Sequence, residues 1–306
     1  MSQKYNLITV LGPTAGGKTS FAAHLAHVLN GEIISADSRQ VYRGMDIGTG
    51  KDIADYIVNG KPVPFHLIDI VDAGYKYNVY EYQRDFIQVF NAISSQNKIP
   101  VLCGGSGLYI EAVLKGYKLI NVPINEVLRQ ELSEKSENEL IHILESAKTL
   151  HNKSDLDTRK RMIRAIEIGK YYTENPQPEN DFPQINSLVI GLKYDRQSQR
   201  KRITQRLKQR LDEGMIDEVK LLLLKGITAE DIIYYGLEYK YLTQYILGEL
   251  SYSDMFTKLE TAIHQFAKRQ MTWFRKMERS GIQIYWLDGY ASMQEKLERA
   301  IKLYEN

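Results

Sequence analysis

At 306 residues, 43% hydrophobic and 25% charged, the chain is long enough for one large core or two modest ones and too apolar for disorder to be the default. One cysteine, Cys103, excludes an intramolecular disulfide framework, the six histidines show no metal-ligand spacing, and no apolar run approaches the roughly 18 to 20 residues of a membrane span. A net charge of +2 gives nucleic acid no strong prior, and Met1–Tyr5 leads into a strand without a signal-peptide pattern, so a cytosolic protein is expected.

The first hundred residues alternate between strand and helix. "LITVLG" reads as a strand, 18–29 as a helix, "GEIISADS" as a second strand, "PFHLIDI" as a third, 79–97 as a helix, and "KIPVLCGGSG" as a strand running into glycines. Such alternation predicts a parallel, doubly wound sheet, in which ligands gather at the carboxyl ends of the strands. From 121 to 164 the chain turns polar and helical, and "TENPQPENDFPQ" (173–184) reads as a loop. "INSLVIGLKYD" then resumes the core sheet, which makes 121–160 a small helical insertion. Residues 196–279 read as mostly amphipathic helix and "IQIYWLD" (282–288) as a last strand, so the core is 1–120 plus about 161–306.

Between the first strand and first helix stands "GPTAGGKT", which fits G-x-x-x-x-G-K-[ST] at every fixed position. Gly12, Pro13, Thr14, Ala15, Gly16, Gly17, Lys18 and Thr19 are therefore expected to cradle phosphates. The glycines let backbone N–H groups turn inward, Lys18 adds a charge, Thr19 offers a hydroxyl to Mg²⁺, and the following helix aims its positive end at the anion. The fold class is α/β, a P-loop NTPase-like doubly wound parallel sheet with C-terminal helices.

Asp37 ends the second strand, which should lie beside this loop; its carboxylate could serve as base, Mg²⁺ ligand or helix N-cap. "GGSGLY" (104–109) is a second glycine-rich turn, where Ser106 either belongs to a tight turn or donates to a phosphate oxygen from the opposite side. Cys103 reads as a buried small side chain. Three basic clusters stand out: 159–164, 268–279, and 196–210, the last with seven basic residues and no acidic one. Basic runs are ordinarily solvated helix faces, but three of them beside phosphate-binding machinery favour a polyanionic partner. Arg202, Arg206 and Arg210 share one helical face; Arg206 has room to reach inward, and a solvated face accounts for the other two.

In order, "GPTAGGKT", "ISADSRQVYRGMDIGTGK" (34–51), "GGSGLY", "RAIEI" (164–168), "RITQRLKQRLDEGMIDEV" (202–219) and "AKRQMTWFRK" (267–276) resemble the tRNA dimethylallyltransferase (tRNA isopentenyltransferase) family across about residues 6–288. The resemblance implies transfer of a dimethylallyl group from dimethylallyl diphosphate to N6 of the adenosine 3′-adjacent to the anticodon, with release of pyrophosphate. It makes Asp37 the base and gives Lys18, Ser106, Arg206 and Thr19 with Mg²⁺ the leaving charge to stabilise. It also assigns tRNA contacts to Asp37, Ser38, Arg39, Gln40, Lys160, Arg161, Arg164, Tyr239, Lys240, Lys268, Arg269, Gln270, Trp273 and Arg275, Trp273 being able either to pack or to stack on RNA. The sequence departs from the family pattern in three places. Ser106 stands where threonine is usual, "DIIYYGLEYKYL" replaces an Ile-Gly-Tyr-Lys pattern, and the insertion is short, with "HNKSDLDTRKR" in place of His-Pro-Asn-Asp-x-x-Arg. Prenylation of free adenine nucleotides and small-molecule phosphoryl transfer are the competing readings; the basic C-terminal helices favour tRNA over the first, and the second lacks a recognisable lid and adenine pocket. A third is a tRNA-binding protein that has lost activity, against which intact Lys18, Thr19, Asp37 and Arg206 argue. A monomer is expected.

Overall fold

The computed structural model describes residues 4–147, 156, 158–175 and 182–306. They form two compact units, one made of residues 1–117 and 183–306, the other of 118–182.

In the larger unit, β1 (Leu7–Leu11) enters the phosphate loop and α1 (Lys18–Val28) leaves it. Then come β2 (Gly31–Ala36), β3 (Tyr42–Arg43), a 3₁₀ turn at Ile53–Tyr56, β4 (Ile57–Val58), β5 (Lys61–Pro62), β6 (Phe65–His66) and β7 (Val71–Asp72). α2 (Val79–Ser95), opened by an Asn78–Glu81 capping box, leads to β8 (Ile99–Gly104) and α3 (Gly107–Leu114). Each of β1, β2 and β8 is buried along its whole length, as continuous apolar runs in a central parallel sheet must be.

The smaller unit holds α4 (Glu126–Ser133), α5 (Glu137–Ala147) and α6 (Arg159–Glu174). Leu128, Leu132, Leu140, Leu144, Met162 and Ile166 form its own core. Arg129 binds the buried Glu167 through Nε (3.0 Å) and Nη2 (2.9 Å). The unit therefore extends to 182, well past the boundary at 160 that the sequence suggested, because α6 turns its apolar stripe toward α4 and α5. Residues 151–155 of the departing "HNKSDLDTRKR" segment, and 176–181 of the expected loop, lie outside the described residues.

The chain then returns as β9 (Ser187–Lys193), α7 (Arg196–Asp212), α8 (Met215–Leu224), α9 (Ala229–Tyr234), α10 (Leu237–Ile246), the 28-residue α11 (Tyr252–Arg279), β10 (Tyr285–Asp288) and α12 (Met293–Glu305). The main sheet runs β10-β9-β1-β8-β2-β6, with every pair parallel. Strand side chains alternate between two cores. Leu7, Leu11, Ile34, Leu102 and Val189 face the cluster that includes Phe86, Leu207, Tyr239 and Phe274, while Ile8, Val10, Ile33, Val101 and Ile190 face α1 and α12.

Two expectations need correction. β8 lies between β1 and β2, so the second strand is not the neighbour of the phosphate-loop strand. "PFHLIDI" contributes only Phe65–His66 to the sheet, since Leu67 and Asp69 adopt positive φ (61° and 55°) and turn the chain away. Among the described residues, no helix is long and apolar enough to cross a membrane.

Candidate active site

The register of the sheet sets the distances. Leu11 pairs with Gly104, and Gly104 pairs with Ala36, so the phosphate loop, the Gly105–Ser106 turn and Asp37 all begin one step beyond the same row. Two inter-strand spacings separate the loop from Asp37, about 10 Å of backbone.

The loop is clamped from outside by side chains of two helices. Gln270 of α11 accepts the Thr14 N–H (2.8 Å) and donates to the Gly105 carbonyl (2.9 Å), tying the two glycine-rich turns together. From α7, Gln199 Nε2 donates to the Thr14 carbonyl (2.5 Å) and Arg202 Nε to that of Ala15 (3.0 Å). Arg202 also lies over the Tyr194 ring, 4.4 Å from its centre. Inside the loop Lys18 Nζ donates to the Pro13 carbonyl at 2.8 Å. Burial, with the Arg206 guanidinium adding to it, pushes the Lys18 ammonium down to about 8.

Facing the loop across a cavity of about 350 Å³ are Asp52, Asp55, Arg206 and Arg210. Arg206 Nη2 meets Asp52 Oδ2 at 2.5 Å, and Arg210 Nη2 lies 3.9 Å from the same oxygen. The sequence reading of a solvated face holds for Arg202, which is exposed although its Nε also holds Ala15, and is overturned for Arg210, which is only 8% exposed. The two guanidiniums press on Gly50, where φ is +68° and a Cβ would fall 1.7 Å from Arg210 Nη2, so any other residue would be strained and would push the guanidiniums aside.

The distinctive 34–51 segment is held by burial and bonds. Lys51, 7% exposed, donates to the Tyr42 carbonyl (2.5 Å) and Asp46 (2.8 Å), and pairs with Asp69. Glu218 of α8 gathers the N–H groups of Asp46, Ile47 and Gly48 (2.7, 2.6 and 3.0 Å) and the Tyr239 hydroxyl (2.7 Å). This loop delivers Asp52 to the cavity.

Asp37 does not cap a helix: its Oδ1 accepts the Arg39 N–H at 2.9 Å, an Asx turn that fixes the carboxylate just beyond β2. It is close enough to Lys18 to be electrostatically coupled to it. The Ser106 hydroxyl accepts the Ser38 N–H (2.9 Å) and donates to Ser38 Oγ (3.3 Å), so it braces the turn that carries Asp37. Cys103 is buried, and burial pushes its thiol up to about 12, which makes it an inert core side chain.

The fourteen residues assigned to tRNA divide by environment. Lys160, Lys268, Arg269 and Arg275 are exposed, and Ser38, Arg39 and Lys240 partly so. Arg161 is also solvent-facing. Gln40, Tyr239 and Gln270 are buried and bonded within the protein: Gln40 accepts from Ser35 (3.1 Å) and donates to the Gly50 carbonyl (3.0 Å). Arg164 donates to the Val122 carbonyl (2.8 Å) and pairs with Glu167 inside its own unit. Trp273 packs: its ring lies against Gly107, where a Cβ would come within 2.5 Å of it, and the Lys276 ammonium sits 4.9 Å over it. Sequence reasoning missed Gln199, Asp52, Asp55 and Glu218, none of which belongs to a pattern with its own chemical signature. Arg210 was visible in the four-residue spacing from Arg206.

A metal ion has partial support from the residues alone. The Thr19 hydroxyl and the Asp55 carboxyl line the same cavity and are the hard oxygen donors Mg²⁺ takes. Among the described residues no three His, Cys, Asp or Glu side chains cluster as a metal cage, so the ion fits only with diphosphate oxygens and water completing its shell.

The sequence pattern of the IPP transferase family matches residues 40–277. The chain is 63% identical over 293 residues to tRNA dimethylallyltransferase 2 of Bacteroides fragilis, covering 96% of each. It is 60% identical over 301 residues to tRNA dimethylallyltransferase 2 of Phocaeicola vulgatus, covering 98% of each. The crystal structure of tRNA delta(2)-isopentenylpyrophosphate transferase from Staphylococcus epidermidis matches with a TM-score of 0.69 at 31% identity over 98% of both chains. With the family pattern matched over 40–277 and relatives at 60–63% identity along nearly the whole chain, the chain belongs to the IPP transferase family.

Proposed function

We propose that this protein is a tRNA dimethylallyltransferase. It transfers the dimethylallyl group of dimethylallyl diphosphate to N6 of the adenosine 3′-adjacent to the anticodon and releases pyrophosphate. The observation that carries this is the row of strand ends, which sets a phosphate cradle and a carboxylate about 10 Å apart across one short turn.

An adenine amine is a weak nucleophile, so proton removal must accompany attack. N6 forms a bond to C1 of the prenyl chain, the C1–O bond breaks, and its electron pair leaves on the diphosphate. Asp37, held by its Asx turn, takes the N6 proton. Lys18, Thr19 and Arg206 meet the charge that develops on the departing oxygen, inside a partly enclosed cavity where such contacts are strong. Ser106 keeps Ser38, and with it Asp37, in place. When bound, Mg²⁺ would supply Lewis-acid neutralisation of the diphosphate, held on the protein side by Thr19 and Asp55.

The target base must leave the anticodon-loop stack to reach this turn. Lys268, Arg269 and Arg275 along α11, with Arg39, Lys240, Lys160 and Arg161, are the residues we assign to the RNA backbone. The enzyme would act as a monomer in the cytoplasm, where its substrate is.

The test is pyrophosphate release from dimethylallyl diphosphate, measured with unmodified tRNA carrying adenosine 3′ of the anticodon, and separately with AMP or ATP. Release with tRNA alone is expected. Release with free nucleotide alone would replace this acceptor by a nucleotide.

A further inference from the structure

Arg210 is nine-tenths buried, and its Nη2 has no hydrogen-bond partner among the described residues. A guanidinium carries five donors and stays charged, so enclosing one without a partner is costly. The nearest carboxylate oxygen, Asp52 Oδ2, is 3.9 Å away and already engaged at 2.5 Å by Arg206. Glu238 shares a recess of about 20 Å³ with Arg210 but forms no ion pair within 4 Å of it. In the free protein the Nη2 group therefore has only a long ion pair to a carboxylate that Arg206 already holds.

What Arg210 does face is the cavity of the phosphate loop, which it lines together with Lys18, Thr19 and Arg206. Asp52 is half exposed and heads a 3₁₀ turn without a side-chain cap bond, so no local bond fixes it where it stands. An anionic oxygen shared between two guanidiniums is the arrangement a phosphate would adopt there.

We propose that Arg210 is a second diphosphate-binding arginine, and that in the free protein Asp52 occupies the place on Arg206 and Arg210 that a phosphate oxygen takes in the complex. This rests on the diphosphate reading of the loop above. Asp52 is then a built-in competitor, which the substrate displaces. Gly50 lets both arginines reach that point from below.

Calorimetric titration of the full chain with inorganic pyrophosphate and Mg²⁺ tests it. Arg210→Met, similar in volume and uncharged, should weaken pyrophosphate binding about 10- to 100-fold, the range for a hydrogen bond to a charged group. Arg210→Lys should recover part of the loss. Asp52→Asn should tighten binding several-fold, and the double variant should lose most of that gain, since the two effects share one contact. The KM for dimethylallyl diphosphate should rise in Arg210→Met while that for tRNA holds. The melting temperature should stay level or rise, because a buried charge held only by one long, shared ion pair is gone; a purely structural arginine would lower it. Equal pyrophosphate affinity in wild type and Arg210→Met overturns the proposal and leaves the loop reading intact. If Lys18→Ala binds pyrophosphate as wild type does, the loop reading itself fails.

Discussion

Replacing Gln270 tests whether this residue faces RNA or holds the site together. Gln270 is 6% exposed and its amide is bonded at both ends, accepting from Thr14 at 2.8 Å and donating to Gly105 at 2.9 Å. Gln270→Ala strands both backbone groups in the interior. At about 1–3 kcal/mol for each unsatisfied group, the loss is about 2–6 kcal/mol. Gln270→Met fills the space without making either bond and should lose nearly as much, which separates hydrogen bonding from packing. Both tryptophans, Trp273 and Trp286, lie in the larger unit, so urea denaturation followed by their fluorescence reports that unit alone. Because the amide positions the phosphate loop, kcat/KM for dimethylallyl diphosphate should fall as well. A variant within about 0.5 kcal/mol of wild type, with only the KM for tRNA raised, would show that Gln270 contacts RNA and that the clamp is unimportant.

The ammonium of Lys18, pushed down to about 8, makes pyrophosphate binding pH-dependent. At pH 9 about nine-tenths of it is neutral in the free protein; a bound anion restores the charge, so binding takes up a proton and weakens as pH rises through 8. Calorimetry in buffers of different ionisation enthalpy should find this uptake in wild type and lose it in Lys18→Met; equal uptake in both would place the proton elsewhere. Gly50→Ala, forced into φ +68° with its Cβ on Arg210, should lower both the melting temperature and pyrophosphate affinity; normal values in both would show that the loop moves freely. Arg275→Ala and Lys268→Ala should weaken tRNA binding and flatten its salt dependence by a little under one unit of log–log slope each, with pyrophosphate affinity unchanged. Arg164→Ala should instead lower the stability of the helical unit by about 1–3 kcal/mol, because it leaves Glu167 and the Val122 carbonyl short of a partner; a pure loss of tRNA affinity would contradict that placement.

The strand–helix alternation and the phosphate loop were legible because both are local: apolar runs bounded by glycines, and a fixed spacing with a direct chemical meaning. The strand order was not, since nothing in "KIPVLCGG" says that it inserts between β1 and β2. The extent of the helical unit was misjudged for a related reason. The α6 pattern is amphipathic wherever it packs, and only three-dimensional contact shows that its apolar stripe meets Leu128 and Leu140. Among candidate site residues, Lys18, Asp37 and Arg206 could be singled out from motif and position. Gln40, Tyr239 and Gln270 could not be told from surface contacts, because a buried, fully bonded amide or hydroxyl has the same letter as a solvated one. Arg210 illustrates the converse: its helical spacing was plain, but whether the face looked inward or outward depended on Gly50 arriving from 160 residues earlier.

The central claim is that Asp37 accepts the N6 proton while the phosphate loop holds the leaving diphosphate. The most direct test is mass spectrometry of unmodified tRNA after incubation with dimethylallyl diphosphate, Mg²⁺ and either wild type or Asp37→Asn. Wild type should add one C₅H₈ unit to the adenosine 3′ of the anticodon, and Asp37→Asn should do so about 10²- to 10⁴-fold more slowly with pyrophosphate affinity retained. Transfer by Asp37→Asn at the wild-type rate, or no transfer to tRNA by wild type, would contradict it.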